Sequence, residues 1–152
     1  MSENQALKFD VIGHPVPQGS MSRGFGNRLH YSNDAKLKSW RHMVITETAN
    51  AIQRFKGEWN IDQAVKVSAV FRFTRPKKHY SASGALKASA PFWKATPSDT
   101  DKLARSIGDS LKEAGALRDD ALIVQWDACK RWADESEPPG VYLIIEPAKK
   151  QS

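Results

Sequence analysis

The run VKVSAVFRF, Val65 to Phe73, constrains the fold more than any other stretch of the chain. Val65, Val67, Ala69, Phe71 and Phe73 alternate with Lys66, Ser68 and Arg72. That period of two fits no helix, so the segment is a strand with one face against a core. LKFDVIG, Leu7 to Gly13, alternates in the same way and predicts a second strand. Two more follow near the other end, ALIVQWDACKRW and VYLIIEP, separated by DESEPPG. The Pro-Pro-Gly turn predicts that these two pair as a hairpin.

Helical periodicity occurs twice. From about Asn33 to Phe55, the residues Leu37, Trp40, Val44, Ala51, Ile52 and Phe55 share one face, while Lys36, Lys38, Arg41 and Arg54 lie elsewhere on the cylinder and Gly57 ends it. Leu103, Ile107, Leu111 and Ala114 give the apolar face of a second helix over about Asp101 to Ala114, closed by Gly115. Two stretches lack such patterns. HPVPQGSMSRGFGNRLHYS is too rich in Gly and Pro for a regular element, and residues 75–97 form a long basic loop without one acid. The order strand, helix, strand, helix, strand, strand predicts one α+β domain over residues 1–152: a small mixed sheet of about four strands carrying two helices, with flexible tails at 1–6 and 148–152.

Charge narrows the partners. Lys and Arg number 23 against 17 Asp and Glu, a formal charge of +6, so a polyanion is the first partner to consider. Arg75, Lys77, Lys78 and Lys94 in the long loop and Arg23 and Arg28 in the earlier one are the expected phosphate contacts. The single Cys129 forms no internal disulfide, and no Cys/His cluster has zinc spacing. His14, His30, His42 and His79 are scattered and read as non-catalytic. No apolar run approaches a membrane span and the start carries no secretory signal, which predicts a cytoplasmic protein.

Against this basic background, Asp99, Asp101, Asp109, Glu113, Asp119 and Asp120 gather around the second helix. Ser98 and Asp101 fit a capping box, and Asp119 and Asp120 fit a turn. Asp99 just before the helix can also converge with Asp101 at its start. For Asp120 to join them, the strand it precedes must run back antiparallel along the helix, whose length is roughly 20 Å, or Asp120 must sit at the edge of another chain or strand. Each pair of carboxylates about 4 Å apart costs about 1 kcal/mol in water and about 4 kcal/mol at a surface-like dielectric. Capping returns only about 0.3 to 1 kcal/mol. A hard divalent cation removes the conflict, and all-oxygen ligation favours Mg²⁺ or Mn²⁺ over zinc. Arg105, one turn after Asp101, adds a positive charge for a developing phosphorane; the alternative is an ordinary Arg105–Asp109 pair.

The string DTDKLARSIGDSLKEAGALRDDALIVQWDACKRW resembles the RusA family of phage-type Holliday junction resolvases, through Asp99, Asp101, Lys102, Leu103, Arg105, Asp109, Leu111, Gly115, Asp119, Asp120 and Ala121. PVPQGSMSR and LKSWRHMV are similar to members carried by phages and prophages. The resemblance implies an α+β homodimer that binds four-way DNA junctions and nicks two opposing strands, using Mg²⁺, with Mn²⁺ as a substitute. It places the catalytic carboxylates on Asp99, Asp101 and Asp120, which also hold the metal, with Asp119 ranked behind Asp120. The family's basic catalytic residue falls on Arg105, where many members have Lys, and Lys102 becomes a phosphate contact. Phe92 and Trp93 are read first as packing over the sheet or a dimer partner, and second as stacking on bases. Two alternatives stand beside the resolvase: a DNA-binding protein without catalysis, and a nuclease for flaps or forks.

Overall fold

A computed structural model describes residues 5–19, 22–23, 29–30 and 34–150. Its strands are β1 (Leu7–Ile12), β2 (Ser22–Arg23), β3 (Leu29–His30), β4 (Val65–Phe73), β5 (Ile123–Trp132) and β6 (Gly140–Pro147); its helices are α1 (Asp34–Arg54) and α2 (Thr100–Glu113). The main sheet has four strands in the order β1-β6-β4-β5, and β2 and β3 form a separate two-stranded ribbon. β6 is antiparallel to both β1 and β4, whereas β5 is parallel to β4. The domain is thus α+β with a mixed sheet, as its periodicities predict.

Two expectations are overturned. β5 and β6 do not form a hairpin, because β4 lies between them. β4 is apolar enough to be paired on both edges, and α2 supplies the crossover that a parallel β4–β5 pair requires. Crossing two strand spacings is roughly 10 Å, well within reach of the seven-residue connection ADESEPP, residues 133–139. The stretch expected to lack regular structure contributes β2 and β3. Arg28 lies outside the described residues, as does the side chain of Arg23.

One face of the sheet is the core face. Leu7, Phe9 and Val11 of β1, Val65, Val67, Ala69 and Phe71 of β4, and Val141, Leu143 and Ile145 of β6 are buried beneath Leu37, Trp40 and Val44 of α1 and Leu103, Ile107 and Leu111 of α2. On α2 the buried hydroxyls of Ser106 and Ser110 donate to the carbonyls of Leu103 and Ser106, at 2.8 and 2.7 Å, so no polar group on that face is left unpaired by them.

The sheet is also tied together by ions. Arg72 on β4 is buried, yet its guanidinium reaches across β6 to grip Asp10 on β1 with bonds of 2.7 and 3.1 Å. It passes over Gly140, where a Cβ would stand 2.7 Å from the Arg72 Nη2 and inside the contact radius of the Val11 carbonyl oxygen. Arg131 on β5 makes a two-pronged pair with Glu137 at 2.7 and 2.8 Å. The hydrogen bonds from Arg131 hold the Glu137 carboxyl down to about 2, partly opposed by its burial.

Residues 75–97 are more ordered than their composition predicts. Lys77–His79 form a turn of 3₁₀ helix, and Tyr80 bridges to Leu86. Residues 92–94 add to the outer edge of β5: Lys94 N–H donates to Lys130 O at 3.2 Å and Trp132 N–H to Phe92 O at 3.0 Å. Arg75 donates to the carbonyls of Pro91 and Ala133 at 2.8 and 3.2 Å, fastening both ends of the segment.

Candidate active site

α2 carries Asp101, Arg105 and Gly108 at spacings of four and three, so all three fall on one face. The chain after α2 turns at Gly115 and brings β5 back along this face. At Gly108 the approach is close: an added Cβ would lie 3.6 Å from Ile123 Cδ1, 3.7 Å from Trp126 Cζ2 and 4.0 Å from Asp120 Cβ. Absence of a side chain there lets the strand and the helix share a cleft of about 480 Å³ lined by Asp101, Arg105 and Asp120, with Trp126 and Ala128 as its sheet wall.

The return stops short of the helix start. Asp120 sits beside Gly108, two turns and roughly 10 Å along the axis from Asp101. Its carboxyl is raised, first by its hydrogen bond with Asp119, then by burial and by the negative charges of Asp119 and Asp109. Asp119 is lowered, the same bond being the largest cause, and Lys112 Nζ stands 3.8 Å from it. Asp109 accepts a hydrogen bond from the Gln18 side chain, and the alternative Arg105–Asp109 pair is not formed.

Asp99 is the residue before α2, extended, with its side chain making no capping bond and lying 3.9 Å from Lys102 Nζ. It does not line the cleft. Lys130 fixes the backbone leading to it, its ammonium donating to the carbonyls of Thr96 and Ser98 at 2.5 Å each. Among the described residues no group of three or more His, Cys, Asp or Glu is arranged to hold a metal ion. The side-chain ligand atoms lining the cleft are nonetheless oxygens alone, from Asp101, Asp120 and Thr100, the type that hard Mg²⁺ or Mn²⁺ takes while keeping several waters.

The expected phosphate contacts divide. Lys77 and Lys78 are exposed, and Lys102 is exposed beside Asp99. Lys94 is not a surface cation. Its ammonium is buried 4.8 Å above the Phe73 ring and 5.3 Å from that of Trp132, and it donates to Thr96 Oγ1 at 3.0 Å and to the Pro97 carbonyl. Burial and the nearby Lys130 lower its affinity for a proton. Arg75 is likewise occupied by Pro91, Ala133 and, at 3.2 Å, the Nδ1 of His79. Gly108, Trp126 and Lys130 shape the site but carry no motif of their own; a glycine inside a helical pattern is the one sequence sign that marks them.

Carboxylates and a guanidinium in one cleft of a basic α+β domain define a candidate phosphodiester-cleaving protein. The chain matches the endodeoxyribonuclease RusA family over residues 13–146 of its 152. It belongs to that family, which makes it a nuclease of the class that acts on branched DNA. No curated protein matches the chain. Among the described residues no helix is long and apolar enough to cross a membrane.

Proposed function

We propose that the protein resolves four-way DNA junctions by paired nicking, as a Mg²⁺-dependent homodimer of phage or prophage origin working in the cytoplasm. The observation that carries this reading is that Asp101, Arg105 and Asp120, from two separated segments, line one cleft. Asp101 and Asp120 would hold the cation from the two ends of the cleft, its coordinated waters making up the distance between them, with Asp99 and Asp119 as the adjacent carboxylates. When bound, it supplies an activated water and neutralises charge on the displaced oxygen.

The chain's own side chains account for the rest. Arg105 offers paired N–H donors to a phosphorane oxygen. Ile123 and Trp126 line the strand side of the cleft, Trp126 itself partly open to solvent. Lys77, Lys78 and Lys102 provide affinity by displacing counterions from the DNA. An isologous dimer offers two equivalent clefts to the two symmetry-related strands of a junction.

The test is cleavage of a synthetic four-way junction with Mg²⁺ or chelator. Wild type should cut only with Mg²⁺, and Asp101→Asn should cut at least about 100-fold more slowly while binding the junction undiminished. Cutting that survives the substitution removes Asp101 from the site. Product lengths on flaps and forks then show whether four-way junctions are the preferred substrate.

A further inference from the structure

Outside this cleft, the segment 76–96 encloses a second cavity of about 620 Å³, lined by Lys78, Lys87, Trp93, Thr96, His79 and Trp132. We infer that it takes one unpaired nucleotide of the DNA substrate, the base stacking on Trp93 and its phosphates meeting Lys78 and Lys87. The size lies within the usual range of small-molecule pockets. No acid occurs between residues 75 and 97, so the walls repel no phosphate.

The aromatic component is built as a platform. Trp93 is 56% exposed and Phe92 53%, so neither is covered by the sheet, one of the two packing surfaces, sheet or dimer partner, that the sequence leads one to expect. Their rings meet edge to face at 4.8 Å, which holds the indole upright, and the backbone at 92–94 is fastened to β5 on both sides. Arg131 lies 6.0 Å from the Phe92 ring as a further brace. The floor is set by His79, buried edge-on against Trp132 at 4.9 Å. Burial and the surrounding Arg75, Lys78 and Lys87 disfavour a charge on it. An exposed indole needs a base face, and a duplex shows only base edges; an unstacked nucleotide shows the whole ring. Thr96 lies on the rim three residues before Asp99, at most roughly 11 Å along the chain, so a strand entering the cavity continues toward the carboxylates.

The substrate in this inference rests on the branched-DNA reading, but its test does not. Anisotropy of a labelled oligothymidylate, titrated with the full chain in chelator so that nothing is cut, reads the cavity directly. Wild type should bind, and Trp93→Ala should weaken binding about 5- to 150-fold, the worth of one stacked base. Trp93→Phe should recover most of the loss. Lys78→Ala and Lys87→Ala should each lower the slope of log affinity against log salt by roughly 0.7. Equal affinity of wild type and Trp93→Ala, or Trp93→Phe as weak as Trp93→Ala, overturns the inference. A protein that shows the Trp93 effect yet leaves four-way junctions intact retires the junction-resolving reading and keeps the cavity; one that cuts junctions but is indifferent to Trp93 does the reverse.

Discussion

Glu137→Gln isolates the ion cluster that ties β5 to the connection before β6. In the folded chain the Glu137 carboxyl titrates at about 2, against 4.5 when unconstrained. That gap corresponds to about 3 kcal/mol of stability at neutral pH. The side chain is 28% exposed, and solvent screening trims this toward about 2 kcal/mol. Because the folded value is depressed, the contribution is complete above 4.5 and drains away as pH falls toward 2. Urea unfolding of both proteins should therefore give a stability difference at pH 7 that narrows by about 1 to 2 kcal/mol at pH 3. Urea is preferred to guanidinium chloride because a salt would screen the ion pair under study. A difference of the same size at both pH values would refute the assignment, since the lost interaction would then not depend on ionisation.

Two glycines give further tests. Gly108→Ala places its methyl at ordinary contact distance from Ile123 and Trp126, so it should raise helix stability by about 0.5 to 1 kcal/mol and leave cleavage intact, whereas Gly108→Leu should abolish cleavage by wedging Asp120 and Trp126 off α2. Gly140→Ala drives a methyl into the Val11 carbonyl and the Arg72 guanidinium; thermal or urea unfolding should show a loss of about 2 kcal/mol or more, with the Asp10 pair disrupted.

Both helices, β1 and β4 were legible because each rests on its own periodicity. The predicted second helix, Asp101 to Ala114, differs from α2 by one residue at each end. Strand order was not legible. The Pro-Pro-Gly turn reports only on local geometry, while the insertion of β4 between β5 and β6 is a choice among distant partners. Order in 75–97 also escaped a reading by side chains, because backbone bonds from Phe92 and Lys94 to β5 create it. Lys94 shows the limit of counting charges: its environment is made by Phe73 and Trp132, far away in sequence. At the cleft, helix length correctly pointed to β5 running back along α2, but where Asp120 stops was set by Gly108, which holds the strand against the helix two turns from Asp101.

The sheet order has a bearing on synthesis. β1, near the start of the chain, pairs only with β6, and β6 is made after every other strand of the sheet. During translation β1 can therefore pack against α1 but finds no strand partner until residues 140–147 have left the ribosome. The sheet thus closes only after every residue that lines the cleft has been made.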